Sequence, residues 1–222
     1  QKFAEFVTHE VKNSLAPTFG AMEWLQENSA SIPVRERENF YRKISLVERK
    51  SKEINDLVER LGVLARAEAG SIGTFEPADV KYCFDQIKER YSTDRLGVEI
   101  GLTIDVNTVA MPAETFQSIV ASLIDNAYLH GGQDANVIIK VTNTQEDIPI
   151  VHIELSDDGK GIKEEYIHKI FEPFFTTARD TGSRGLGLAI VKALLEAHGG
   201  SIKLMSLGRG TSFQITLPSR VS

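Results

Sequence analysis

The stretch "EAGSIGTFEP", Glu68 to Pro77, is where the chain changes character. Two glycines and a proline punctuate it, and the hydrophobic rhythm on its two sides differs. Upstream, Phe40, Ile44, Val47, Ser51, Ile54, Val58, Leu61 and Ala65 follow one another at intervals of 4-3-4-3-4-3-4. That is a seam of the coiled-coil kind. Ala4, Val7, Val11, Ser14, Thr18, Ala21 and Leu25 repeat the rhythm earlier with smaller side chains. Between the two lies "NSASIP", Asn28 to Pro33, where Ser31 can cap the second helix and Pro33 suits its first turn. The spacing predicts a helical hairpin. One hairpin buries little by itself, so two of them packed about a two-fold axis, giving a four-helix bundle, are expected. The alternative is a hairpin packed on its own downstream domain.

Downstream of Gly73 the pattern alternates. Helical stretches are expected near Asp79–Tyr91, Ala113–His130, Glu164–Ile170 and Leu186–His198. Strand-like runs occupy Val98–Ile104, Asn136–Thr142, Ile150–Leu155, Ser201–Met205 and Ser212–Leu217. They interleave without a regular βαβ rhythm, which favours a mixed or antiparallel sheet with helices on one face. The expected organisation is a helical domain over 1–70 and an α/β domain over 71–222.

Composition narrows the classes of function. The chain has 222 residues with 41% hydrophobic and 25% charged, ordinary for globular domains, and its net charge of −6 gives no footprint for nucleic acid. Cys83 is the sole cysteine, so an intrachain disulfide and a multi-cysteine metal site are both out of reach. That fits a reducing compartment, and a cytoplasmic location is expected. No apolar run has the length of a membrane span and no signal peptide is visible. The chain opens on Gln1 and reads as a piece of a longer protein, with any membrane anchor lying upstream.

Four segments carry candidate chemistry. In "FVTHEVKNSLAP", Phe6 to Pro17, taking Ala4 and Val7 as seam positions a and d puts His9 at the outermost heptad position, f. Asn13 lies one turn on and Glu10 is adjacent. An outward imidazole can act as a nucleophile, and a neighbouring carboxylate can hold its other nitrogen. Pro17 takes away the amide that would bond to the Asn13 carbonyl, so the helix should loosen or bend there. A surface His–Glu pair is also an ordinary solvated pair. "LSDDGKGI", Leu155 to Ile162, follows a strand, and its glycines allow close backbone approach to a flat ligand while an Asp accepts from an amine; it also makes an ordinary turn. In "TGSRGLGLAIV", Thr181 to Val191, Gly185 and Gly187 open a helix whose free amides suit phosphate, with Arg184 just ahead; a hinge before a core helix is the other reading. "SLIDNAYLH", Ser122 to His130, places Asp125 and Asn126 inside an apolar helix, facing either a ligand or a satisfied partner.

Taken in order, these segments resemble the catalytic core of the bacterial sensor histidine kinases over essentially the whole chain. "HEVKN" resembles the phosphoacceptor box, "LIDNA" the asparagine box and "DDGKGI" the first glycine box. "FEPFFTT", Phe171 to Thr177, resembles the phenylalanine box, "RGLGLAIV" the second glycine box, and "GRGTSFQITLP", Gly208 to Pro218, the closing glycine-rich hairpin. The resemblance implies a dimerising histidine-phosphotransfer hairpin over 1–70. Over 71–222 it implies a Bergerat-type α/β sandwich that binds ATP, of the kind shared with gyrase and the Hsp90 chaperones. It further implies that His9 is phosphorylated, that Glu10 is the activating base, and that Asn13 orients a water for phosphatase activity. Asn126 would hold Mg2+ and Asp157 would accept from the adenine amine. Gly159 and Gly161 would let the backbone near the base and Gly185 and Gly187 would present amides to the phosphates, with His130, Ile162, Phe171, Arg184, Leu186, Leu188 and Thr211 also among the nucleotide-binding residues. Phe171 to Arg184 would form a mobile lid, with Phe174 and Phe175 as its anchor. The implied partners are a second copy of the chain and a response-regulator receiver domain.

The chain departs from the family pattern at Ser122, where a second Asn is usual, at Leu129, where a basic residue is common, and at Ser183, where Gly is frequent. A non-catalytic, nucleotide-binding dimeric scaffold of the same family is the alternative function.

Overall fold

The computed structural model describes residues 2–29, 32–71, 73–92, 98–103, 108–131, 135–144, 149–178, 183–205 and 210–219; within these, the side chains of 2–10, 14, 92, 98, 102 and 103 are not described. The chain divides into two compact units, Gln1–Arg66 and Ala67–Ser222.

The first unit is made of α1 (Lys2–Glu27) and most of α2 (Val34–Glu68). Helix α1 continues through Pro17, and the Pro33 carbonyl accepts the Glu36 amide at 2.8 Å as α2 begins. Ser31, the expected cap, lies outside the described residues. Two contacts nest around the connection as an antiparallel hairpin requires. The Ser29 hydroxyl meets the Tyr41 hydroxyl near the turn, and Lys12 pairs with Glu59 at 2.8 Å further along. The ion pair is exposed, so it reports register more than stability. The α2 seam is split: Ile44, Ser51 and Val58 are buried, whereas Val47 and Ile54 remain 47% and 46% exposed.

The second unit contains β1 (Ala78–Asp79), α3 (Val80–Ser92), β2 (Val98–Thr103), β3 (Thr108–Val109), α4 (Ala113–Gly131), β4 (Val137–Asn143), β5 (Ile150–Asp157), α5 (Gly187–Ala197), β6 (Ser201–Leu204) and β7 (Thr211–Pro218). Five strands form one sheet in the order β2-β4-β5-β7-β6, and β1 pairs with β3 separately. Only the β2–β4 pairing in the large sheet is parallel, so the sheet is mixed, as expected. Alternation decides which face is covered. Register aligns Ile139 with Leu155 and Leu155 with Phe213, then Val141 with Ile153 and Ile153 with Ile215. These rows are buried together with Phe84 and Ile87 of α3, Phe116, Ile119 and Ile124 of α4, and Val191 and Leu195 of α5. The other face carries Lys140, Glu154 and Gln214 in one cross-strand row.

One expectation changes. Glu164–Ile170 is a single 3-10 turn over Glu164–Tyr166 followed by turns, not a helix. A seven-residue segment whose leading residue, Lys163, gives no side-chain cap is too short to sustain helix without packing. The two-residue strands β1 and β3 escape the sequence pattern because so short a run has no period to read.

Candidate nucleotide site at the end of the sheet

Asp157 is the last residue of β5, paired with Val137 on one side and Thr211 on the other. The sheet thereby delivers a carboxylate to its own edge, flanked by two strand termini. Its Oδ1 accepts the Gly159 amide at 2.9 Å and the Thr211 amide at 3.3 Å. Half-buried, the carboxyl is pushed above the usual carboxylate range by desolvation, which the amide donors and the Thr211 side chain oppose; neighbouring Asp158 pushes the same way as burial. The two adjacent aspartates do different work. Asp158 accepts the Asn136 backbone amide and side-chain amide, both at 2.8 Å, and so ties the turn to the start of β4.

Glycines make this corner possible. A Cβ on Gly159 would stand 2.4 Å from Gly131 Cα at the end of α4, and one on Gly210 would stand 2.3 Å from the Asp157 carbonyl oxygen. Gly210 also donates its amide to the Gly159 carbonyl at 2.8 Å. Gly161 has φ 73°, a left-handed conformation that favours glycine. Ile162 and Phe171 pack partly buried against the core beside this corner, Phe171 edge-on to Phe213.

Helix α4 runs into the same corner. His130, half-buried, is depressed in pKa by desolvation, with Asp157 pulling the other way. Its Nδ1 lies 3.3 Å from the Thr177 hydroxyl. Asn126, one turn earlier, is partly exposed and has no side-chain hydrogen-bond partner among the described residues. Asp125 is engaged elsewhere, accepting the Tyr91 hydroxyl at 2.8 Å. Leu129 is 40% exposed, a surface residue rather than part of the core.

The residues expected on the phosphate side lie around the start of α5. Leu186 is buried and precedes the helix without a side-chain cap, so the amides of Gly187 and Leu188 have no side-chain acceptor there. No atom stands within 4 Å of a Cβ built on Gly187, whereas Gly185, φ 68°, would drive a Cβ to 2.4 Å from the Phe175 carbonyl oxygen. The Gly185 carbonyl accepts the Phe174 amide at 2.8 Å. Ser183, where the family often has glycine, accepts the Thr176 hydroxyl at 3.1 Å. Arg184 is exposed at this end. Arg179 lies outside the described residues.

The anchoring of the phenylalanine segment differs from the expectation. Phe171 and Phe175 pack, the latter 5.4 Å from the Tyr166 ring, but Phe174 is 51% exposed with φ 68°. Its amide is bonded to the Gly185 carbonyl, a contact that no sequence period announces. The closeness of Gly131 and Gly210 to Asp157, and of Thr177 to His130, is not evident from the residue pattern. Gly210 stands inside the closing glycine-rich segment and Thr177 at the end of the phenylalanine segment, which are the readable signals; Gly131 has none.

In the first unit, Asn13 is exposed on α1. The side chains of His9 and Glu10 lie outside the described residues, although their backbone is helical. No cluster of three or more His, Cys, Asp or Glu suited to a metal occurs among the described residues. No described helix is long and apolar enough to cross a membrane.

Comparison with known proteins identifies this arrangement. The family described as "Histidine kinase-, DNA gyrase B-, and HSP90-like ATPase" matches residues 112–221, from the start of α4 through β7. The chain is 30% identical over 227 residues to the sensor protein SrrB of Staphylococcus aureus, covering 97% of this chain and 37% of SrrB. The chain belongs to the sensor histidine kinases. It is also 26% identical over 226 residues to the sensor protein KdpD of Clostridium acetobutylicum, covering 97% of this chain and 24% of KdpD. The chain thus spans well under half the length of these curated relatives. The crystal structure of full-length ShkA in complex with AMPPNP superposes over 100% of this chain and 47% of that one, with TM-score 0.74 at 22% identity. This likeness concerns the fold: a helical N-terminal region followed by an α/β domain with a mixed sheet.

Proposed function

We propose that this histidine kinase core binds ATP at the Asp157 corner, phosphorylates His9, and passes the phosphoryl group to an aspartate of a response-regulator receiver domain. The observation that carries the reading is the convergence of Asp157, the glycines at 131, 159 and 210, and His130 at one end of the sandwich. A flat, amine-bearing base fits such a corner. Close backbone approach leaves room for it, and a carboxylate oxygen beside a glycine turn is an acceptor. Thr211, Gly161, Ile162 and Phe171 would line the base, and Arg184, Gly185, Leu186, Gly187 and Leu188 the phosphates, where free helix amides meet negative charge.

The donor set suits a hard cation held mainly by phosphate oxygens. Asn126 offers an amide oxygen with no described protein partner, and no carboxylate cluster among the described residues competes for the ion. Mg2+ there would neutralise charge on the phosphates. The His9 imidazole nitrogen attacks the γ-phosphorus, the bond to the β–γ bridging oxygen breaks, and ADP leaves. Glu10 acts as the base for the imidazole. In the second step a receiver carboxylate oxygen attacks phosphorus and the P–N bond breaks. Asn13 would orient a water that hydrolyses the receiver acyl phosphate if the protein also works as a phosphatase.

Residues 1–70 would be the dimerising phosphotransfer hairpin and 71–222 the catalytic domain. The half-exposed Val47 and Ile54 on the α2 seam support a second hairpin as partner. The core would act in the cytoplasm. A scaffold that binds nucleotide without transfer is favoured by one observation, the uncharged Leu129 exposed on the face of Asn126. Incubation with γ-labelled ATP separates the two readings. Label that is lost in acid and stable in base marks phosphohistidine, and a scaffold takes up none.

A further inference from the structure

Gly131 ends α4 immediately after His130, and its space is nearly full. A Cβ built there would stand 3.1 Å from Ala135 Cβ, 3.3 Å from Gly159 Cα and 3.6 Å from Asp157 Oδ1. From the other side, a Cβ on Gly159 would stand 2.4 Å from Gly131 Cα. The end of α4 and the turn after β5 therefore meet backbone against backbone, beside the Oδ1 atom that takes the Gly159 and Thr211 amides. The Thr211 side chain also bonds this carboxyl, and Oδ2, which takes neither backbone amide, is the oxygen placed to meet a ligand.

We propose that Gly131 is a positioning residue for base recognition: its bare Cα lets α4 close on the Gly159 turn, and that closure fixes the Asp157 carboxylate with one oxygen facing the ligand. The proposal rests on the nucleotide-binding reading above and deepens it, because a carboxylate held this way selects a purine that presents an amine over one that presents a carbonyl oxygen. A methyl at 131 presses on Gly159 and on Ala135 and lies against Oδ1. The turn shifts, and the amide donors to Oδ1 lengthen. Those donors favour the ionised carboxyl and oppose the effect of burial, so weakening them moves its titration upward. The ionised form is the stronger acceptor for an amine. Binding in the variant is then lost at higher pH than in the parent.

The test is calorimetric titration of the whole chain with magnesium and a non-hydrolysable ATP or GTP analogue, from neutral to acid pH. Gly131→Ala is expected to weaken the ATP analogue roughly five- to tenfold, the lower end of the cost of forcing one methyl into a filled site. The preference for the ATP over the GTP analogue falls, and the acid limb moves to higher pH. Gly20→Ala is the control: nothing lies within 4 Å of a Cβ there, and parent-like binding is expected. Gly131→Ala/Ala135→Gly removes the 3.1 Å contact while keeping those with Gly159 and Oδ1, and it carries the test if the single variant does not fold. Continued weak binding with the shifted acid limb supports the proposal. Parent-like affinity and pH profile in Gly131→Ala overturns it, and so does parent-like behaviour of the double variant alone, since crowding at Ala135 would then be the whole effect. A parent chain that binds neither analogue overturns the nucleotide reading, and the role of Gly131 with it.

Discussion

The hairpin and the α/β unit dispose of their apolar side chains in opposite ways. The α/β unit closes its own core: Phe84, Phe116, Ile139, Ile153, Leu155 and Phe213 are each buried to within two per cent of full. Helices α3, α4 and α5 cover the apolar face of the sheet, and the Ile139 and Val141 rows of that face are buried across three strands. On α2 the heptad positions of Ile44, Ser51 and Val58 are filled, while those of Val47 and Ile54 remain open. The same kind of apolar pattern thus ends as a finished core in one unit and as an available seam in the other. Layered α/β architecture satisfies itself within one chain, whereas two helices can bury only one stripe each and leave the next stripe for another surface.

The sharpest break between the units should come from chemistry. His9→Gln is expected to abolish acid-labile labelling altogether while leaving nucleotide affinity at the parent value, because acceptor and nucleotide site would belong to different units. Acid-stable label persisting on the variant would remove His9 from the acceptor role. Glu10→Gln should slow labelling by roughly two to four decades, the range for a lost general base, again with parent-like nucleotide binding. Undiminished labelling rates would reduce Glu10 to a surface charge.

The packing contrast is tested by truncation. Phe116→Ala, in the closed core and edge-on to Phe84 at 5.6 Å between ring centroids, should destabilise the α/β unit by about 3–5 kcal/mol. Val47→Ala removes a side chain that is almost half exposed and should cost the folded chain under about 0.5 kcal/mol in denaturant melts. Its effect should appear instead in sedimentation, as weaker self-association. A large loss of stability from Val47→Ala with unchanged association would mean that the open seam faces no second hairpin.

Much of this fold is legible in the order of the amino acids alone. The 4-3 spacing marks the hairpin, and alternation locates all five strands of the large sheet, because one covered face imposes a period of two. The glycine segments mark the corner around Asp157, since backbone contact at 2.4 Å admits no side chain and glycine leaves a visible trace. What escapes such patterns is set by tertiary contact. The backbone of Phe174 is bonded to Gly185, eleven positions away, and Gly131 stands against Gly159. The 164–170 segment looks helical on local composition, and only the turns that follow Tyr166 decide against it. His152 and His198 each keep a buried ring nitrogen without a partner among the described residues, and the structure gives no physical reason for either.

The smallest expected effect concerns Leu129. It lies three residues after Asn126 on α4, so the two share a helix face, and it is 40% exposed. Replacing it should therefore leave the core intact. The family commonly carries a basic side chain at this point, and leucine brings no charge towards bound phosphate. One charge-assisted contact contributes about 1.5–3 kcal/mol net. At the open mouth of a nucleotide site, salt screens part of that. Leu129→Lys is therefore expected to tighten binding of a non-hydrolysable ATP analogue by less than about tenfold, a gain that shrinks as ionic strength rises. Arg184, exposed just ahead of Gly185, is the residue expected to supply positive charge in its place. Arg184→Ala should weaken the same binding by a similar factor and with the same salt dependence. Because both side chains would act on one set of phosphates, the gain from Leu129→Lys should be larger in the Arg184→Ala background than in the parent. Equal gains in the two backgrounds would show that the residues act independently, and the idea that Arg184 compensates for Leu129 would fall.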